Sequence, residues 1–236
     1  MQTVTQTKNR KTRLEDIRRV ELIEAAHRIF LRDGLKGLTS IRICHEAGMS
    51  QGILTYYFKD KEEVLFEMVR HANRLLMDSV ILKLRQANTR WERLLAIIEG
   101  NFPESEFDRN TANAWISFYA EAARNPRYAR LQTLFYRRLR SNLISALSPL
   151  VTQEKIEHFI LGFAAMLDGL WLRRGHSNED VTYMQARTIL VEYAEKMLGE
   201  EKTARLKALA VKTLRGKRSA GSVTDQMRSR GSPNNG

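Results

Sequence analysis

Apolar residues recur at helical spacing through most of the 236-residue chain, and no stretch alternates in the manner of a strand. The pattern predicts an all-α protein. A first helix runs from Leu14 to Arg32 with Leu22, Ile23, Ala26, Ile29 and Phe30 on one face, and Asp33-Gly34 ends it. After Gly37-Leu38, Thr39 or Ser40 caps a short helix, Ser40 to Glu46, carrying Ile41, Ile43 and Ala47 at its apolar positions. Gly48 then offers the left-handed conformation that closes one helix, and Ser50 the side chain that opens another, Ser50 to Phe58.

Two short helices joined by a glycine turn form a helix-turn-helix signature. The second helix holds Ile53, Leu54 and Phe58 toward a core, while Gln51, Thr55, Tyr56 and Tyr57 are polar or amphipathic and cluster outward. Gly52 weakens a helix interior by about 1 kcal/mol, which makes sense where the helix start must approach another surface closely. DNA fits: a recognition helix enters the major groove with its first residues on base edges, and hydroxyls and N–H groups near its start bind phosphates. Asp60 with Glu63 makes a capping box for the next helix, and Lys61 in its first turn can reach a phosphate. The competing reading is an αα-hairpin whose tyrosines pack inside.

That next helix, Asp60 to about Arg85, has Leu65, Met68, Val69, Ala72, Leu75, Leu76 and Val80 at helical spacing, and at roughly 1.5 Å per residue it is long enough to link the DNA-binding head to the rest of the chain. Beyond it the pattern predicts five more helices: Trp91 to Glu99, broken at Pro103; Thr111 to Arg124; one opened by Asn125-Pro126, running to about Leu147 and stopped by Pro149; Gln153 to Arg174; and Asp180 to Leu198. No internal repeat is visible. The expected organisation is a basic flexible arm at 1–13, a three-helix DNA-binding head at 14–60, a helical ligand-binding and dimerisation bundle at 61–200 reached through the long linking helix, and a basic, largely disordered tail at 201–236.

Charge sharpens the division. The formal net charge is +12, of which residues 1–13 supply +4 and residues 202–236 supply +8, leaving 14–201 neutral. The C-terminal excess reads as a solvated tail; the N-terminal arm runs into the first helix of the head and is expected to lie along the phosphate backbone or in a minor groove. The single cysteine, Cys44, excludes an intramolecular disulfide and reads as a buried small hydrophobe. The polar start is no signal peptide, and the longest apolar run, Phe159 to Leu172, is interrupted by Asp168 and too short to span a bilayer, so a cytoplasmic protein without membrane contact is expected. There is no phosphate-binding glycine loop and no Cys/His metal spacing, and the five histidines are scattered. Neither an enzyme, a cofactor nor a metal site is expected.

The run Gly48-Met49-Ser50-Gln51-Gly52-Ile53-Leu54-Thr55-Tyr56-Tyr57-Phe58-Lys59-Asp60-Lys61 resembles the signature of the TetR family of repressors, departing from it at Thr55, where the family usually has Tyr. The resemblance implies a homodimer that places two recognition helices in successive major grooves, roughly 34 Å apart, on a palindromic operator in double-stranded DNA. On this sequence it assigns phosphate contacts to Ser40, Tyr57, Lys61 and the N-terminal arm, puts Gln51, Gly52, Thr55 and Tyr56 at base edges, and counts Ser50 among the DNA-binding residues.

Further segments, Asn101-Phe102, Ala114 to Tyr119, Tyr136 to Leu143 and Leu167 to Arg173, resemble the regulatory domain of the BetI-type repressors, which answer to choline and control glycine betaine synthesis; the likeness spans Ile17 to Leu198. It implies a small-molecule effector, choline first, whose binding disfavours the DNA-competent dimer. A quaternary ammonium has no N–H to donate, so its site needs aromatic faces and carboxylates. Candidates are Trp115, Phe118, Tyr119, Tyr136 and Trp171, with Glu121 and Asp168 as counter-charges. Aromatics at this spacing are also core residues, and Trp171 with Phe163 and Leu167 is equally placed for a dimer seam. Asp168 in an apolar run either pairs with Arg138 or Arg140 or faces a ligand, since a buried carboxylate needs a partner. Two other readings stay open: a repressor with a different effector, and an architectural protein gripping DNA through its tails.

Overall fold

The computed structural model describes residues 3–148, 150–176 and 181–210; Pro149, the stretch 177–180 that holds the expected start of the last bundle helix, and most of the basic tail lie outside the described residues. The described chain folds into ten helices: α1 Thr3–Gly37, α2 Ser40–Glu46, α3 Gly52–Tyr57, α4 Lys61–Gln86, α5 Arg90–Gly100, α6 Arg109–Ala122, α7 Pro126–Leu147, α8 Gln153–His176, α9 Tyr183–Leu198 and α10 Glu200–Ala208. The all-α expectation holds, and none of the described helices is long and apolar enough to cross a membrane.

Local chemistry explains most boundaries. Side-chain oxygens of Thr39, Asp60, Asp108 and Asn125 accept from backbone N–H groups at the starts of α2, α4, α6 and α7. Full capping boxes, Thr89 with Glu92 and Thr182 with Gln185, open α5 and α9. At α4, Glu63 reaches one residue further out than a capping box requires and accepts from Lys59 N–H at 2.8 Å. Ser50 differs from its expected role: its carbonyl, not its hydroxyl, receives the Ile53 N–H, and α3 has no side-chain cap.

Two expectations are corrected at the ends. The basic segment expected as a flexible arm is helical from Thr3 and continuous with α1, since nothing in it, neither glycine nor proline, stops a helix propagating backward. The expected tail begins with a sixth bundle helix, α10, which buries Thr203 and Leu206 against α5 and α9 and pairs Ala210 with Thr89.

The core has two lobes. One holds Leu94, Ile97, Leu143, Phe159, Phe163, Leu190 and their neighbours from α5 and α7–α10. The other holds Leu22, Ile29, Phe30, Ile43, Cys44, Leu54, Phe58 and Met68 of the head, but also Ala114, Phe118 and Ala122 of α6 and Tyr128 and Leu131 of α7. The head therefore does not close on itself at residue 60. Its core is completed by one face of α6.

Candidate functional site

The helix-turn-helix is formed as the pattern predicts. Gly48 sits at φ +66° between α2 and α3, a conformation that a side chain strains, and the Met49 N–H returns to the Cys44 carbonyl at 2.8 Å. Leu54 and Phe58 anchor α3 in the head core, with the Arg19 guanidinium 4.8 Å over the Phe58 ring. Ser50, Gln51, Gly52, Thr55 and Tyr56 are all exposed along α3, Tyr57 is half-buried behind them, and Lys61 is exposed at the start of α4. Ser40 is half-buried in the first turn of α2, where Thr39 and not Ser40 supplies the cap. A methyl group built on Gly52 meets no protein atom within 4 Å, so no contact inside the protomer requires glycine there. Tyr56 stands edge-on to Tyr57, ring centres 4.9 Å apart, and donates its hydroxyl to Glu15 of α1 at 2.9 Å. That carboxylate raises the Tyr56 pKa and keeps the phenol protonated.

The second site is a cavity where α1 of the head and the linking helix α4 meet α6, α7 and α8. It encloses about 700 Å³, part of it open to solvent. Of the seven effector candidates proposed from sequence, Trp115, Tyr119, Asp168 and Trp171 line it. Phe118 does not: it lies on the neighbouring strip of α6 that Ala114 and Ala122 share, and is buried in the head core against Trp115 and Tyr128. Tyr136 stands just outside and donates its hydroxyl to the Asp168 carboxylate, so the partner of Asp168 is a phenol, neither Arg138 nor Arg140. Arg140 instead pairs with Glu157. Glu121 is exposed on α6 away from the cavity, and the second carboxylate of the lining is Glu106, from the segment between α5 and α6.

Trp171 is settled inside the protomer, 8 % exposed, its indole N–H donating to the Asn101 carbonyl at 3.2 Å and its ring against Phe102 and Phe107. Burial raises the Asp168 pKa and outweighs the lowering effect of the Tyr136 hydrogen bond. His27 also lines the cavity; burial, the neighbouring His71 and Arg28 lower its pKa from 6.5 to about 4, so it carries no charge at neutral pH. The lining is therefore aromatic, with carboxylates and no cation at pH 7. Sequence reasoning missed His27, Asn73, Asn101, Gln132 and Phe135 in this wall. Phe135 was legible only as an apolar helix position, and Asn101 only as part of a resemblance.

A three-helix reader joined through a long helix to a helical cavity-bearing bundle defines a one-component DNA-binding regulator. Residues 22–68 match the family described as bacterial regulatory proteins, tetR family, and residues 90–199 match the BetI-type transcriptional repressor C-terminal domain. Curated relatives include the HTH-type transcriptional regulator BetI of Brucella canis, 34 % identical over 194 residues covering 82 % of this chain and 98 % of that one, and BetI of Cronobacter sakazakii, 35 % identical over 80 % of this chain and 94 % of that one. Among solved structures, a transcriptional regulator from Saccharomonospora viridis in complex with choline superposes with a TM-score of 0.67 at 21 % identity, covering 75 % of this chain and 95 % of that one. A TetR regulator from Haloarcula marismortui gives 0.69 at 19 %, covering 77 % and 98 %. The chain belongs to the TetR family of transcriptional regulators, with a regulatory domain of the BetI type. It is a regulator of transcription and not an enzyme.

Proposed function

We propose that this regulator represses genes for glycine betaine synthesis as a homodimer on a palindromic operator and that choline, bound in the cavity, modulates that binding. The observation that carries the reading is the cavity lining: aromatic side chains of Trp115, Tyr119, Phe135 and Trp171 beside the half-buried carboxylate of Asp168. This is the chemistry a trimethylammonium group needs, since it can be held by ring faces and a counter-charge but not by acceptors for N–H. The names of the curated relatives and the choline bound by the Saccharomonospora regulator support the same ligand.

Position supports coupling. Trp115 packs against both lobes of the core, and its own helix completes the head. An occupant that shifts α6 shifts the floor on which α1 rests, and it changes DNA affinity only as far as it binds the two arrangements unequally. Support for the dimer comes from α8 and α9, which leave Leu161 (71 % exposed), Leu172 and Met184 (60 % exposed) uncovered in the single chain. Ser40, Tyr57 and Lys61 as phosphate contacts, with Gln51, Gly52, Thr55 and Tyr56 at base edges and Ser50 among the DNA-binding residues, belong to the same proposal.

The test is a mobility-shift titration on the chain's own upstream DNA with excess non-specific competitor, with and without millimolar choline. A specific shift altered by choline supports the reading, and Asp168→Asn should remove the choline effect while keeping the shift. A specific shift indifferent to choline discards the effector. A shift that competitor abolishes returns the architectural reading.

A further inference from the structure

A second cavity lies directly beside the first, between α4 and α7, enclosing about 870 Å³ that is also partly open to solvent. The two share a wall: Asn73, Leu76, Asn101 and Phe135 line both. Past that wall the chemistry changes. The second space has no carboxylate in its lining and is faced by Phe66, Met77, Val80, Leu131, Leu134 and Leu139. Its charged members are Arg70, paired with Glu67 at 3.1 Å, and Arg138, so an ammonium finds no counter-charge in this lining and the Asp168 side is the place for one. Choline alone engages the first space, leaving the second to be filled by water against apolar side chains, which is unfavourable.

The wall itself is polar at two points. Asn101 is 4 % exposed; its Nδ2 donates to the Ile97 carbonyl at 2.7 Å and its backbone carbonyl receives Trp171. Asn73, half-buried on α4, faces both spaces from the opposite side. A ligand crossing here would carry its cation among Trp115, Tyr119, Trp171 and Asp168, a polar link between the two asparagines, and a hydrocarbon chain beyond Phe135.

We infer that the site takes O-acylated choline-type cations, a trimethylammonium head bearing a short acyl chain, with the chain seated between α4 and α7. This rests on the cation reading of the first cavity and extends it. Because α4 is the helix that links the head to the bundle, a chain wedged against α7 acts on the same element that positions the reader.

Calorimetric titration of the full chain with choline, acetylcholine, butyrylcholine and hexanoylcholine tests it. Each buried methylene should tighten binding about threefold to fourfold until the space is full. Met77→Trp, which touches only the second cavity, should flatten the chain-length series while choline affinity stays put; a matched circular dichroism melt checks that it folds. If choline binds and the esters bind no better, the acyl subsite is wrong and the choline reading stands. If the esters bind and choline does not, the acyl subsite stands and choline is not the effector. Binding by none of them overturns both, and a series that lengthens equally well in Met77→Trp overturns the placement between α4 and α7.

Discussion

Asp168 is held between two influences, burial that favours its neutral form and a phenol that favours its anion, and the first prevails. A cation needs the anion. Choline affinity is therefore expected to fall as pH drops through a pKa lying above the ordinary carboxylate range, and Asp168→Asn, which can still accept from Tyr136, should bind weakly and without that pH dependence; titrations between pH 4 and 8 decide it. His27 sets a second pH dependence, in stability. The unfolded chain protonates it near 6.5 and the folded chain only near 4, so between those values the unfolded state holds more protons and stability falls as pH falls. The slope is at most about 1.4 kcal/mol per pH unit. Urea midpoints across that window should decline in the native chain and decline less in His27→Gln. At the reading helix, Tyr56→Phe removes the Glu15 hydrogen bond and keeps the ring, so operator affinity should change by less than it does in Tyr56→Ala; equal losses in a mobility-shift titration would show that the hydroxyl itself reads DNA.

Among the elements, α6 has the most divided duty. Ala114, Phe118 and Ala122, one turn apart, complete the head core, while Trp115 and Tyr119 face the cavity. Ser117 ties the two: its hydroxyl accepts the Leu35 N–H at 3.2 Å, just past the kink where Gly34 takes φ +66°, and donates to the Ala114 carbonyl at 2.6 Å. Ser117→Ala leaves that N–H unpaired, at a cost of about 1–3 kcal/mol. It should lower the effect of choline on operator affinity more than it lowers either binding measured alone, which a thermodynamic cycle of four titrations reads directly.

How much of this was legible in the sequence depends on what each element needed. Helices α4 to α9 could be read because their apolar stripes are long, and at α4 and α7 Asp60 and Asn125-Pro126 mark the starts. Helix α10 could not: only Thr203 and Leu206 face inward, too few to make a period, and its charges merged with those of the tail. Trp115, Tyr119, Asp168 and Trp171 could be picked out by residue type. Asn73, Gln132 and Phe135 could not, since which face of α4 meets which face of α7 is decided by packing across distant segments.

At the scale of the molecule, the two lobes of the core meet through α6 and Trp115. Thermal unfolding should be a single transition followed alike by tryptophan fluorescence and far-ultraviolet dichroism. Phe118→Ala should cost about 3–5 kcal/mol and weaken DNA binding, although the residue lies far along the chain from the reader. Two separated transitions would show that the lobes are independent.

The shared core also bears on how such regulators can be recombined. A chimera joined at residue 60, giving this reader to a foreign bundle, would leave the head core that holds Phe30 against a stranger's helix where Ala114, Phe118 and Ala122 belong. Exchange of specificities between relatives then has to carry α6 along with the reader or find a matching surface, so promoter choice and ligand choice are inherited together more readily than the sequence boundary between them implies.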